Sequence, residues 1–294
     1  MSEFRFGIGE WYGKSFIHLT PAEKRTFATL SIKGQHRQQP CIPRLAENPN
    51  QNCTKNGGVC SLRQYELINQ TIRVKDGKFI TTCPERFRED KKIFQWVGEI
   101  ILGHPEPIIV EQIGFLERLR HQEGEETADV GKIDMILIRP DLDCFFWCAL
   151  EMQAVYFSGD AMGRDFKAIA MHQDSTLPFP AGRRRPDFRS SGPKRLMPQL
   201  QIKVPTLRRW GKKMAVVMDA SFFGAMGEMD HVSDISNCDI VWFIVKYNEK
   251  KGQAALELGE IRFTTLERTV EGLTAGTPVS LPEFEGRIRK KLKK

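Results

Sequence analysis

The stretch VGKIDMILIRPDLDCFFWCALEMQAVY, residues 130–156, decides the fold. Val130 to Ile138 reads as a strand whose later part, Ile133 to Ile138, is apolar apart from the acid Asp134, and Cys144 to Tyr156 holds a second apolar run. Pro140-Asp141-Leu142-Asp143 between them is turn chemistry, so the pair predicts a hairpin of strands. Side chains of a strand alternate faces. Glu151 and Gln153 then share one face, and Cys148, Leu150 and Met152 the other. Asp134 sits within Ile133-Asp134-Met135-Ile136-Leu137-Ile138, where an acid is costly to bury unless paired or bound to a cation. If the strands are neighbours, Asp134 and Glu151 converge on one ion. Two carboxylates from adjacent strands suit Mg²⁺, a hard ion that prefers oxygen ligands. Bound Mg²⁺ polarises a phosphoryl oxygen and activates water. Gln153 lies within reach of the same point and could position that water, but it cannot act as a base near neutral pH. The competing reading is a pair of edge-strand acids facing solvent.

Around this hairpin the periodicity predicts mixed α/β structure with a central sheet. Residues 90–121 read as two helices, with Ile93, Val97, Ile100 and Ile101 on one face of the first and Ile109, Ile113 and Leu116 on the second, broken at Gly103-His104-Pro105. A helix is expected over 197–212, with Pro205 able to split or kink it. Met214 to Met218 and Ile240 to Tyr247 read as buried strands, and 259–272 as a short strand followed by a helix. Arg287 to Lys294 reads as a frayed basic tail. Upstream, Thr20-Pro21-Ala22-Glu23 is a helix start, with an N-cap, Pro at the first helical position and Glu at the third. Residues 36–65 are rich in Pro, Asn and Gly and read as loop. The expected division is an N-terminal region, 1–88, and a larger domain, 89–294.

Of the 294 residues, 40% are hydrophobic, enough for a real core, and no apolar run approaches the ~20 residues of a membrane helix. The first residues have no secretory pattern, so a soluble cytoplasmic protein is expected. The net charge of +7 favours a polyanionic partner only weakly. Its distribution says more: from Ala181 to Lys213 there are eleven Lys or Arg and one acid, Asp187. Arg183, Arg184, Arg185, Arg189, Lys194 and Arg195 are candidate DNA contacts. Clustered cations neutralise phosphates, and arginine is the usual bidentate reader of guanine. A solvated charged surface is the alternative.

Seven cysteines without a secretory signal argue against a disulfide framework. Cys41, Cys53, Cys60 and Cys83 fall in a region with little expected regular structure, where metal–thiolate bonds could hold the chain. Their spacings are loose, and unrelated buried thiols are the alternative. Zinc and iron both favour tetrahedral thiolates. Cys144, Cys148 and Cys238 read as small core residues.

Leu150-Glu151-Met152-Gln153 followed by Phe157-Ser158-Gly159 resembles the active-site strand of the NotI family of type II restriction endonucleases. The upstream cysteines, Gly192-Pro193 with the basic helix after it, and Asp239-Ile240-Val241-Trp242-Phe243 resemble that family's landmarks in the same order. The resemblance implies an α/β PD-(D/E)XK restriction-endonuclease-like core, with a central mixed sheet flanked by helices. It implies glutamine in place of the usual motif lysine and an N-terminal, loop-rich four-cysteine site holding iron. It further implies a homodimer that cuts double-stranded DNA at a GC-rich palindrome. Asp134, Glu151 and Gln153 match the motif. A further family glutamate falls on Glu125, with Glu117 and Glu126 as alternatives. The loop between the catalytic strands is tighter than the family's. Two other readings remain: a non-catalytic DNA-binding protein with a structural metal, and a structure-selective repair or junction nuclease.

Overall fold

The computed structural model describes residues 3–117, 129–141, 145–250, 253–274 and 279–292. The chain opens with a four-stranded antiparallel sheet in the order β2-β1-β3-β4. Its strands are β1 (Glu3–Trp11), β2 (Lys14–Ser15), β3 (Val59–Ile68) and β4 (Thr71–Thr81). Helix α1 (Pro21–Ile32) begins where its sequence signal places it. The Thr20 hydroxyl accepts the Glu23 backbone N–H, and the Glu23 carboxylate accepts that of Thr20, closing a capping box. From His36 to Gly58 the chain makes only short 3₁₀ turns and an isolated bridge between Pro40 and Asn52. The loop expectation for 36–65 therefore holds as far as Gly58 and fails at β3.

The strand β1 escaped the sequence reading because Gly7 and Gly9 lower its β-propensity. Packing accounts for Gly9: a Cβ there would lie 2.9 Å from the Phe79 ring and 3.0 Å from the Ser61 hydroxyl. Trp11, Tyr12, Phe16 and Phe27 close this module's core with Phe166 and Ile169 from later in the chain.

The larger sheet has six strands in the order β12-β11-β10-β7-β6-β5. A 3₁₀ stretch, Pro84–Lys91, leads into α2 (Lys92–Val97), which continues through a π-turn to Leu102. Then β5 (Ile108–Glu117), β6 (Asp129–Ile138) and β7 (Trp147–Met152) form an antiparallel meander. Next come β8 (Phe157–Gly159), α3 (Gly163–Met171), β9 (Arg184–Pro186) and α4 (Phe188–Ser191). Helix α5 (Met197–Arg209) returns the chain to β10 (Met214–Asp219), which lies parallel to β7. After α6 (Ala220–Phe223), β11 (Ile240–Lys250) runs parallel to β10 and β12 (Gln253–Thr264) antiparallel to β11. Helices α7 (Leu266–Thr274) and α8 (Leu281–Leu292) complete the described chain.

Both sheet faces are covered. Leu150, Met152, Met135, Val217 and Phe243 pack with Ile93, Phe94 and Val97 of α2 on one face. Ala149, Ile136, Val216 and Trp242 pack with Leu200, Val204 and Leu207 of α5 on the other. The central strands β7, β10 and β11 are accordingly buried on both sides and mostly apolar, as expected of strands under helices, with Glu151 and Asp219 as buried acids.

Three local expectations are corrected. The second helix of 90–121 is the strand β5, and Glu111 and Ile113 pair with β6. Ile109 and Ile113 are four apart, which puts them on one side of a helix and also on one side of a strand. Sheet pairing and the β-branched Ile108-Ile109-Val110 decide for the strand. Pro205 sits inside α5 without splitting it. The C-terminal basic run is helical through Leu292, although α8 buries none of its described side chains.

Candidate active site

The register Met135–Leu150, Ile136–Ala149 and Leu137–Cys148 continues to set Asp134 across from Glu151. Because Leu150 and Met152 serve the α2 face, Glu151 is directed to the α5 face. Waiting there is Lys203, whose ammonium lies 2.7 Å from Glu151 Oε2 and 3.6 Å from Asp134 Oδ2. It also donates to Gln199 Oε1, one turn earlier on the helix, at 3.0 Å. The two strand carboxylates thus face a single point, and a positive charge is centred on it. The alternative of two unrelated solvent-facing acids does not describe them.

Their surroundings differ. Glu151 is 5% exposed and Asp134 42%. Burial pushes the Glu151 carboxyl up to about 7, and the charge of Asp134 pushes the same way, while the Lys203 ammonium pulls it down. Asp134 also faces β5, where Gln112 Nε2 donates to its Oδ1 at 3.4 Å. Gln112 stands in the left-handed region, with φ of 58°.

Gln153 lies on the same cleft as Glu151. Its side-chain amide donates to the Ala154 carbonyl at 2.7 Å, and its backbone N–H bonds Val217 at 2.8 Å. Of the three upstream glutamates, Glu125 and Glu126 lie outside the described residues. Glu117 pairs with Asp129 at the far end of β5. Five residues separate it from Gln112, roughly 16 Å along a strand, so the fold does not bring it to the carboxylates. Glu85 and Glu111, which sequence reasoning passed over, do line the cleft. Arg88 holds Glu111 at 2.6 Å. The cleft has a volume of about 940 Å³, and Lys55, Asn56 and Lys167 line it together with the carboxylates.

The sequence carries a signal for Lys203 in its spacing. Leu200, Lys203, Val204 and Leu207 follow the i, i+3, i+4, i+7 spacing of a buried helix face, and a lysine in that row needs a partner.

The donor chemistry around Asp134 and Glu151 suits a hard cation. Two carboxylates are the usual protein share for Mg²⁺, which takes its other ligands from water and phosphate.

The four upstream cysteines occupy one neighbourhood. Short backbone bonds fix their segments: Cys41 N–H to Gln51 and Cys53 N–H to Gln39, both at 2.8 Å, and Cys83 N–H to Cys60 at 3.2 Å. Burial raises the pKa of all four thiols, Cys41 to about 12, and nearby thiols add to the rise at Cys41, Cys60 and Cys83. The donor set is of the kind that zinc or iron takes. Among the described residues, however, no three His, Cys, Asp or Glu groups are close enough together to hold a metal ion. Cys148 and Cys238 are buried in the core, as expected, and Cys144 lies outside the described residues.

The basic segment separates into two kinds of arginine. Arg183 is 80% exposed, whereas the Arg184 side chain is 2% exposed. Arg184 pairs with buried Asp165 and donates to the Phe6 and Asp160 carbonyls at 3.1 and 3.2 Å. It is therefore fixed inside the protein and is not offered to a partner. Arg185, Arg189, Lys194 and Arg195 are exposed, and the Arg195 guanidinium lies 3.5 Å from the centre of the Tyr156 ring.

An antiparallel meander continued by a parallel strand, helices on both faces and a carboxylate pair in an open cleft make up an arrangement compatible with an α/β nuclease. The chain matches the family model "Restriction endonuclease NotI" over residues 27–258 and belongs to the NotI restriction endonuclease family. Membership implies a type II restriction enzyme, a site-specific endonuclease acting on DNA. Comparison with curated proteins gives no significant match. Among the described residues no helix is long and apolar enough to cross a membrane.

Proposed function

We propose that the chain is a Mg²⁺-dependent restriction endonuclease with a PD-(D/E)XK core, cutting both strands of a GC-rich palindrome as a homodimer. The observation that carries this reading is the meeting of Asp134, Glu151 and Lys203 on one point of the sheet face. A position that two carboxylates surround and that already attracts a cation is suited to Mg²⁺. When bound there, Mg²⁺ supplies charge neutralisation at the scissile phosphate and lowers the pKa of water.

Asp134 and Glu151 hold the cation. Gln153 orients the attacking water through its amide without taking its proton. Water adds to phosphorus in line as the bond to the 3′ oxygen breaks. The attacking water gives up one proton to solvent and the departing 3′ oxygen takes one from it, leaving a 3′ hydroxyl and a 5′ phosphate. Arg183, Arg185, Arg189, Lys194 and Arg195 are exposed cations available for phosphates and guanine edges. One such site handles one strand, so a palindromic double-strand cut calls for two subunits. The cysteines Cys41, Cys53, Cys60 and Cys83 would hold a structural iron or zinc, their donor chemistry being the support for it.

The test is digestion of plasmid DNA with Mg²⁺, followed by sequencing of the ends. Discrete fragments sharing one palindromic sequence are expected, and Glu151→Gln should abolish them while leaving DNA binding intact. A smear, or unchanged cutting by the variant, rejects the proposal.

A further inference from the structure

We propose that Lys203 is a catalytic residue, supplying from helix α5 the ammonium that neutralises the reacting phosphate; this rests on the cleavage site proposed above. The strand that bears Glu151 offers the phosphate no cation of its own, since Gln153 is neutral. Phosphodiester hydrolysis nevertheless builds negative charge on the non-bridging oxygens, and a positioned cation in a partly dry site is a large source of rate. Among the described residues, the ammonium placed against both carboxylates is that of Lys203.

Its placement costs stability, which suggests use. Lys203 is 7% exposed on a helix face otherwise made of Leu200, Val204 and Leu207. Apolar residues in place of both Lys203 and Glu151 would pack there without desolvating either charge, and a buried ion pair is often no better than such a replacement. Gln199 gives the ammonium an uncharged partner at 3.0 Å. Lys203 thus has an anchor that does not depend on the acids. A divalent cation and this ammonium compete for the same carboxylate oxygens. Once the cation is bound, the ammonium is released from the acids and remains at the cleft for a phosphate oxygen.

The experiment compares wild type with Lys203→Met, Lys203→Arg, Glu151→Gln and the double variant Lys203→Met/Gln153→Lys. Calcium affinity without DNA is measured by calorimetry, folding by thermal melting and cleavage by single turnover with Mg²⁺. The Lys203→Met variant leaves Glu151 buried without its cation, so it is expected to melt earlier than wild type while still folding, and to bind calcium more tightly because a competing charge is gone. Its cleavage should fall by about 10²–10³, the usual loss on removing a charge-stabilising group. Lys203→Arg should keep more of the rate than Lys203→Met, and placing lysine at 153 should recover part of the rate. Wild-type cleavage by folded Lys203→Met overturns the proposal. So does parallel loss of calcium binding and cleavage, since Lys203 would then only support the carboxylates. If Lys203→Met fails to fold, the charge-retaining Lys203→Arg decides: cleavage no better than that of Glu151→Gln, in a protein that melts and binds calcium normally, overturns the proposal. Glu151→Gln separates this failure from that of the site itself: if it cuts normally, the cleavage site is misplaced; if it is silent while Lys203→Met cuts, only the lysine is misassigned.

Discussion

Asp219 Oδ2, at the end of β10, accepts the backbone N–H of Thr81, at the end of β4, at 2.8 Å. Its other oxygen accepts the Phe222 N–H at 2.8 Å and caps α6. One fully buried carboxyl therefore joins the N-terminal sheet to the six-stranded one. Burial pushes its pKa up to about 6, against the pull of these N–H groups. The unfolded value is about 3.9. Between the two, the folded protein holds a proton that the unfolded chain has lost. The Asp219 contribution to stability should therefore fall as pH rises from about 4 to about 6, by about 2–3 kcal/mol, and level off above, while Glu151, pushed up to about 7, extends the total fall to higher pH. Urea unfolding across that range measures it. The Asp219→Asn variant should lack this component, and an unchanged pH slope would contradict the assignment.

The structural metal proposed on the donor chemistry of Cys41, Cys53, Cys60 and Cys83 should survive purification. Elemental analysis should find close to one iron or zinc per chain. Cys53→Ser, Cys60→Ser or Cys83→Ser should lose it and melt earlier, because binding energy at such a site is folding energy. Cys148→Ser, altering a core thiol, should leave metal content unchanged. Purified protein with no stoichiometric metal would remove the structural-ion proposal and leave the cleavage site standing.

Arg183 and Arg184 are adjacent in sequence, and their substitutions should act on different quantities. Arg183→Ala, with Arg185→Ala, should weaken DNA binding and lower the salt slope by about one for each phosphate no longer neutralised, with little change in melting temperature. Arg184→Ala strands the buried Asp165 carboxylate and should cost about 3–5 kcal/mol of stability. Filter binding at several salt concentrations and thermal melts separate the two. Equal effects on both readouts would mean that the burial contrast is not what distinguishes them.

Arg86 makes a similar buried contact at the seam between the sheets, 2.9 Å from Glu10 and 2.6 Å from Glu89, with a further bond to the Ala254 carbonyl. Arg86→Met leaves Glu10 buried without its cation and should destabilise the protein by about 3–5 kcal/mol. Glu10→Gln together with Arg86→Met should recover part of that loss, which chemical denaturation can detect. No recovery would show that Arg86 acts through Glu89 and Ala254 instead.

The carboxylate pair predicts unequal damage on charge removal. Glu151→Gln and Asp134→Asn should each abolish measurable cleavage with DNA affinity retained. Only Glu151→Gln should also disturb stability, since it removes the charge facing buried Lys203, whereas Asp134 is half exposed. Melting curves beside cleavage assays test this, and a larger stability loss in Asp134→Asn would reverse the ranking.

Local chemistry alone determined that Glu151 and Gln153 share the side of their strand opposite Leu150 and Met152, where α1 begins and that Met214 to Met218 and Ile240 to Tyr247 are buried strands. Alternation, capping and apolar runs act over a few residues, so the sequence displays them directly. Tertiary structure decided what lies opposite those faces. Edge pairing turned Ile108–Glu117 from a helical pattern into a strand, because a spacing of four suits both periods. Packing drew Arg184 inside while leaving Arg183 out. Lys203 reaches Glu151 across 52 residues of chain, a meeting fixed by how α5 lies on the sheet. Contacts of that range depend on the packing of whole elements, which no short window of sequence contains.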